Sequence, residues 1–421
     1  MASGELRAGT GAVVALSVAA AAMFCNPYST QAIVPESGAD LGAGPAATGL
    51  TITVVVIGIA VGAWIMGPLS DRIGRRAVMI GSCALLAAPT ALIAVGGGLV
   101  ELLVLRGLQG LLLPGLLTVA TAYVYEAFGP GRVPTVVGLY TSALVLGGFL
   151  GRTIPALLVD DIGWRWSLAS LALPLLASAV LIALLLPAAP PPPRARSPLR
   201  AVRAHLANTP ILLNGLAAGC TFFAFVGLYS VVAYRLEGPE FGLSAAQVGA
   251  FYVVWLVGAL TPFAVRLAGR IGSRVLLPVF PVIGLVGLAL GSVSWLPAVV
   301  VGLAVLAGGL FAMVGVAQLL VPQLTLRDRG SAMSVHLTIY YLLGSLGPFA
   351  LGAAWSAAGG RKPTASSHRG AARRGGPRRR ARADPAPASL RAPAGRGGSR
   401  NGAGAIVSRR PDPRPRTAGG R

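Results

Sequence analysis

The sequence predicts an all-α polytopic membrane protein, and three observations carry that reading. Hydrophobic residues make up 54% of the 421 and charged residues only 11%, with a mean hydropathy of +0.72. Apolar runs long enough to cross a hydrocarbon core, about 20 residues each, recur along the chain. The arginines between those runs fall in alternate loops. A soluble domain carries about 25% charged residues, so this chain cannot coat a water-facing surface, and a cytoplasmic enzyme is excluded.

The apolar runs come in order at residues 11–34, 48–67, 77–97, 99–124, 134–158 and 166–187, then at 211–234, 246–267, 275–295, 297–321 and 331–356. The first follows Glu5 and Arg7 with no small-residue cleavage site and reads as a span, not a leader. The break at 188–210 is a linker. Pro190, Pro191, Pro192 and Pro193 lack the N–H that a helix needs and clash with the preceding turn, and Arg194, Arg196, Arg200 and Arg203 follow them. The expected organisation is six spans over 1–187, a Pro/Arg-rich cytoplasmic linker over 188–210, five spans over 211–360 and an Arg-rich disordered tail over 361–421.

Charge sets the expected sidedness. With the N-terminus cytoplasmic, fourteen loop arginines fall inside and only Arg165 and Arg235 outside, a positive-inside pattern. The outer loops carry acids instead, Glu36, Asp40, Glu101, Asp160, Asp161, Glu237 and Glu240 among them. Of the net charge of +22, the last sixty-one residues hold +15. Cys25, Cys83 and Cys220 have neither disulfide-framework nor zinc spacing.

The chain also repeats itself. Asp71-Arg72-Ile73-Gly74-Arg75-Arg76 follows the second run, and Gly269-Arg270-Ile271-Gly272-Ser273-Arg274 follows the eighth, 198 residues on. Arg132 is matched by Arg329, and Gly147 by Gly344, each 197 residues on. Two halves in register over this distance point to parallel repeats about an axis along the membrane normal, a transporter architecture.

The most specific motif is Gly67-Pro68-Leu69-Ser70-Asp71-Arg72-Ile73-Gly74-Arg75-Arg76. Gly74 permits a tight turn, Asp71 complements the positive end of a nearby helix, and the arginines can pair with carboxylates at other helix ends, Glu126 being one candidate. The cluster is expected to act as an inner gate that latches one face. This loop resembles the signature loop between helices two and three of the major facilitator superfamily. Arg106-Gly107-Leu108-Gln109-Gly110 resembles that family's fourth-helix motif, and Gly163-Trp164-Arg165-Trp166 its turn into helix six. Tyr28-Ser29-Thr30-Gln31-Ala32-Ile33-Val34-Pro35 is similar to helix one of the twelve-helix drug and sugar efflux subgroup of bacterial inner membranes. The resemblance covers residues 1–360. It implies two pseudo-symmetric helical bundles and proton-coupled efflux by alternating access. Helix five departs from the subgroup: Leu146-Gly147-Gly148-Phe149-Leu150-Gly151-Arg152 lacks the usual Gly-Pro pair of the antiporters.

Two arginines fall inside spans, where a charge is costly and usually faces the bundle interior. Arg106 shares a helix face with Gln109, Gly110 and Leu113; the family resemblance implies that it tunes proton transfer or holds an anionic group, while snorkelling to the surface is the alternative. Arg152 follows the same logic, with Asp160 or Asp161 as its expected partner. No Asp or Glu sits near the middle of a run. His336 is a candidate proton site, or else a hydrogen-bonded structural residue. Asn26, Tyr28, Gln31, Tyr140, Tyr229, Trp255, Gln318, His336 and Tyr340 are candidates for lining a central cavity, together with Phe222, Tyr252 and Tyr341.

No nucleotide loop, metal cluster or nucleophile triad appears. No cofactor, no metal and no enzymatic activity are expected. The expected partners are a small amphipathic solute, protons and the lipid bilayer, with no nucleic acid and a monomeric state. The family has twelve spans and this chain shows eleven runs. The tail after Gly360 therefore reads as an out-of-frame segment, as a basic extension of a truncated variant, or as a tail that binds nucleic acid or anionic lipid. A non-transporting or inactive membrane protein from a truncated or frame-shifted gene is the alternative to a transporter.

Overall fold

Helices form where the apolar runs lie. The computed structural model describes residues 9–129, 131–187, 205–325 and 329–359, and among these there is no strand. The proline run at 190–193, Arg7, Arg194, Arg196, Arg200, Arg203 and Arg327, and the whole tail lie outside the described residues.

The first half of the chain builds α1 (Thr10–Phe24), α2 (Val34–Asp40), α3 (Pro45–Ile73) and α4 (Arg75–Leu92), which tightens into a 3₁₀ turn over Ile93–Val95. One apolar segment then runs through α5 (Leu99–Leu112), α6 (Pro114–Leu117) and α7 (Val119–Ala127), interrupted at Pro114, which has no N–H to donate, and at Thr118. α8 (Val133–Ala169) and α9 (Ala172–Leu185) complete this half. The second half builds α10 (Thr209–Glu237), then α11 (Ala245–Phe251), a 3₁₀ stretch Tyr252–Leu260 and α12 (Thr261–Ile271) as one segment. α13 (Ser273–Leu276), α14 (Val279–Gly291), α15 (Leu296–Leu320) and α16 (Arg329–Ala357) follow. Among the described residues nine segments are long and apolar enough to cross a membrane, and Thr10–Phe24 and Ala172–Leu185 are two shorter apolar helices. Side chains such as Val100, Leu173 and Leu184, more than 70% exposed, would be untenable in such number against water and suit a lipid surround.

Two runs differ from the sequence expectation. The first was expected to be helical over 11–34, yet α1 stops at Phe24 and residues 25–33 form turns. Pro27 cannot continue the hydrogen-bond ladder, and other partners take the freed carbonyls. The sixth was expected to begin at 166. Instead Gly163, at φ 77°, turns the chain after α8 has crossed, and the return pass starts at Trp164. That left-handed backbone is open to glycine at little cost.

Helix pairs meet backbone to backbone through glycine. A Cβ on Gly147 would lie 2.3 Å from Ala21 O, and one on Gly151 2.1 Å from Cys25 O, so α8 crosses α1 where no side chain fits. In the second half Gly344 on α16 packs onto the Phe222 ring of α10, and Gly347 onto Phe223 O. The 197-residue offset read in the sequence therefore matches equivalent helix crossings.

The halves join at one end. Gly49 of α3 packs on Pro348 of α16 and Gly352 on Pro45, each with room for no Cβ. Thr153 Oγ1 of α8 donates to Gly249 O of α11 at 2.8 Å. Thr48 Oγ1 meets Tyr234 OH at 2.8 Å, and that hydroxyl also reaches Val34 O. These contacts lie near the acidic loops. At the opposite, arginine-rich end the halves part around a cavity.

Candidate functional site

The arginine-rich end is built on Gly74, which separates α3 from α4 at φ 96°. That turn brings Arg75 back over the end of α3. Its guanidinium pairs with Asp71 at 2.6 Å and Glu126 at 3.1 Å and donates to Ser70 Oγ. Arg76 donates to Ala183 O, while Arg72 points outward and is exposed. All these partners belong to the first half: the ion pairs tie α3, α4 and α7 to one another, and the Arg76 hydrogen bond adds α9. Arg75 does pair with Glu126 as expected, and in this conformation both acids it meets, Asp71 and Glu126, sit in the same half. Gly272 repeats the turn at φ 110°. Because the Arg75 cluster is near the surface, Glu126→Gln is expected to change stability by no more than about 1 kcal/mol, as a thermal unfolding series in detergent will show.

Arg106 is fully buried and fully used. Nε donates to Thr51 O at 3.1 Å, Nη1 to Asn26 O and Gln109 Oε1 at 2.8 Å each and to Ser29 Oγ at 3.2 Å, and Nη2 to Pro27 O at 2.7 Å. The guanidinium thus closes the carbonyls that the end of α1 leaves open. Gln109 passes the network on through Nε2 to Thr90 Oγ1 at 2.8 Å, and Thr90 reaches Asn26 Oδ1. Gly110 lets α5 touch α3, where a Cβ would meet Val55 O at 2.4 Å. Arg106 does not snorkel.

Arg152 is equally buried and differently partnered. Nε donates to Gln31 Oε1 at 2.7 Å and Nη1 to Gly148 O, but Nη2 has no acceptor. Three rings surround the guanidinium carbon, with centroids at 3.8 Å (Trp255), 4.8 Å (Tyr28) and 5.3 Å (Tyr252). The expected partners Asp160 and Asp161 do not pair with it: both are exposed at the far end of α8. Gln31 links the halves, donating from Nε2 to Ser230 Oγ at 3.1 Å and Val226 O at 3.3 Å, while its carbonyl accepts from Tyr252 OH.

The cavity at the arginine-rich end measures about 410 Å³ and is walled by both halves, with Trp64, Gly67, Asp71 and Arg75 on one side and Leu337, Thr338 and Tyr341 on the other. Trp64 Nε1 donates to Thr338 Oγ1 at 3.2 Å across its edge. Of the residues expected to line a cavity, Tyr341 lines this one and the others do not. Asn26 is buried in the Arg106 network of the first half, and Tyr28, Gln31, Tyr229, Trp255 and Tyr340 are buried where the halves close. Tyr140 OH donates to Leu117 O and Tyr229 OH to Leu303 O; Gln318 is half-buried. His336 is buried with Nδ1 3.4 Å from Asn214 Nδ2 and Nε2 without a partner. The cavity wall is mostly apolar side chains at α3 and α16, which a search for polar residues passes over.

A second site was missed in the sequence. Glu36 of α2 and Glu237 at the end of α10 lie within hydrogen-bonding reach of each other at the acidic end. Among the described residues no other donates to the two Glu36 oxygens or to Glu237 Oε1. Burial pushes the Glu36 carboxyl up to about 7; its own backbone amide and the contact with Glu237 pull the other way, and Asp160 adds to the rise. Two carboxyls in contact without a basic partner share a proton. Only the fold brings them together, since each alone reads as a loop acid.

Comparison with known proteins places this arrangement. The family model of the Major Facilitator Superfamily matches residues 14–348. The chain belongs to the Major Facilitator Superfamily. It is 28% identical over 345 residues, 81% of this chain and 86% of the other, to a protein described as an uncharacterized transporter of Buchnera aphidicola subsp. Baizongia pistaciae. It is 30% identical over 249 residues, 58% of this chain and 60% of the other, to the inner membrane transport protein YnfM of Escherichia coli. Its fold matches the crystal structure of a bacterial homologue of the human lysosomal transporter Spinster, inward-facing and unoccupied, with a TM-score of 0.70 at 18% identity, over 85% of this chain and 84% of that one. The protein is thus a multi-pass membrane protein of a transporter family, and that family is not one of enzymes.

Proposed function

We propose that this superfamily member is a secondary active transporter that exports a small amphipathic solute in exchange for protons. The observation that carries the reading is the asymmetry of closure. The halves meet backbone to backbone at the acidic end and part around a mostly apolar cavity of about 410 Å³ at the other. A cavity of this kind suits a small amphipathic molecule, and rocking the two halves about their crossings would open it to the opposite side. The loop arginines favour the cavity end as cytoplasmic, with the N-terminus on that side and the protein in the bacterial inner membrane. The Glu36–Glu237 pair supports a role for protons, since it holds a titratable group near neutrality at the closed end. Asp71 and Arg75, at the cavity rim, act as the inner gate in this reading, while Arg106, Gln109 and Gly110 hold the helix crossing on which the first half pivots.

Inverted membrane vesicles energised with a proton gradient test the proposal. Fluorescent amphipathic dyes are expected to accumulate, and a protonophore is expected to abolish the accumulation. Uptake that survives the protonophore overturns the proton coupling, and uptake no greater than in vesicles lacking the protein overturns transport of those dyes.

A further inference from the structure

Among the described residues, Arg152 is a fully buried cation with an unsatisfied nitrogen. Both intramembrane arginines are fully buried, but their surroundings differ in one respect. Every nitrogen of Arg106 donates to an oxygen. Arg152 Nη2 is buried with no acceptor, and no carboxylate pairs with this guanidinium among the described residues. A buried cation without a counter-ion is costly, and three aromatic faces offset only part of that cost.

The surroundings define what the site would accept. Nη1 is held by Gly148 O and Nε by Gln31 Oε1, which leaves the Nη2 edge for a ligand. Trp255 and Tyr28 flank the guanidinium, and their own rings pack 5.7 Å apart. Phe225 extends the apolar wall at 5.0 Å from Trp255. These walls would strip water from a ligand, so they favour a single delocalised negative charge on an apolar or aromatic body over a multiply charged phosphate. In this conformation the site is closed off from the cavity: Tyr341 lines the cavity and packs against the apolar core that holds Tyr28, Phe222, Trp255 and Tyr340, so a solute reaches Arg152 only when that aromatic layer parts. The stacked pair Phe222 and Tyr340, 4.3 Å between centroids, belongs to the aromatic layer of that core.

We propose that Arg152, with Trp255, Tyr28 and Gln31, is the anchoring site for the carboxylate of an amphipathic monocarboxylate solute. The proposal rests on the transporter reading above and sharpens it by naming the charge of the cargo. A carboxylate entering from the cavity would take Nη2 as its donor, while Gln31, released from Ser230 and Val226, would couple occupancy to the contact between the halves.

The test compares 4-phenylbutyrate with its neutral amide, 4-phenylbutyramide, on the unmodified protein in detergent, read by quenching of tryptophan fluorescence. Loss of a charge-assisted hydrogen bond predicts that the amide binds at least about ten-fold more weakly. Arg152→Gln is expected to erase the difference between the two compounds, and Arg152→Lys to restore part of it. Equal binding of acid and amide by the unmodified protein, no binding of the acid, or an undiminished preference in Arg152→Gln each overturns the anion site. The wild-type comparison needs no variant to fold. Transport in vesicles keeps the two readings apart: accumulation of a cationic dye with no carboxylate binding leaves the transporter standing and removes the anion site.

Discussion

Replacing Arg106 by Ala is expected to lower stability by roughly 3–5 kcal/mol, on the basis of about 1–3 kcal/mol for each buried acceptor left without its donor, reduced by relaxation. Pro27 O loses its donor and the carbonyls of Asn26 and Thr51 each lose one, and no water is at hand in that buried layer to replace it. Gln109 loses the donor to its Oε1 as well. Arg106→Lys is expected to recover only part of the loss, since an ammonium is a point charge and cannot reach acceptors spread around a planar fork. Thermal unfolding of the purified protein in detergent measures both. An Arg106→Ala protein that unfolds with the wild type would show that the turn after α1 is held by something else. The same experiment separates two roles that transport assays alone confuse, because a variant that unfolds also fails to transport.

Raising the pH from below 4.5 to above 7 is expected to open the acidic end, and Glu36→Gln to abolish that response. The sign follows from Glu36, whose carboxyl titrates near 4.5 when free and is pushed up to about 7 by burial in the closed pair. Below about 4.5 the group is neutral whether the end is closed or open, so the closed arrangement carries no penalty. Between 4.5 and 7 the open form loses its proton first, and closure weakens progressively, by at most about 3 kcal/mol. The groups that bear on the pair are Asp160, Tyr234 and Tyr252; Arg235 is turned away onto Glu240 at 2.9 Å. Spin labels at Asp161 and Val293, both exposed near this end, report the separation. The wild type is expected to show a growing long-distance population as pH rises, and Glu36→Gln a short distance throughout. A pH-independent distance in the wild type would remove the pair as a proton-sensitive contact.

Much of the fold was legible from hydropathy and a few glycines. The apolar runs predicted the helices because a membrane-spanning segment must satisfy its own backbone, and that demand shows directly in composition. Gly147 and Gly344 betrayed equivalent crossings, since no other residue permits such an approach. Gly74 and Gly163 marked turns for the same reason that their backbones are open to glycine. Arg106 with Gln109 was visible as a pair because both sit on one helical face and their bond is local. The exit of the chain from α1 at Phe24 was not legible, because the run stays apolar enough to read through Pro27 and the acceptors are claimed by a helix eighty residues away.

The arrangement of charges inside the fold was beyond the reach of any local pattern. Arg152 was expected to meet Asp160 or Asp161 on its own helix, yet the side chains around it come from the turn that follows α1 and the 3₁₀ stretch after α11. Glu36 and Glu237 read as separate loop acids until α2 and the end of α10 are set against each other. The cavity is walled by Trp64, Leu337 and Tyr341, of which only Tyr341 was among the residues singled out in the sequence. By itself, then, the chain determined that it spans a membrane, where its helices run and that its halves repeat, because hydropathy and chain flexibility act on neighbours in sequence. Which charge is satisfied, which is left over and where the halves touch was decided only by tertiary structure, because burial and pairing depend on distances between segments that share no local pattern.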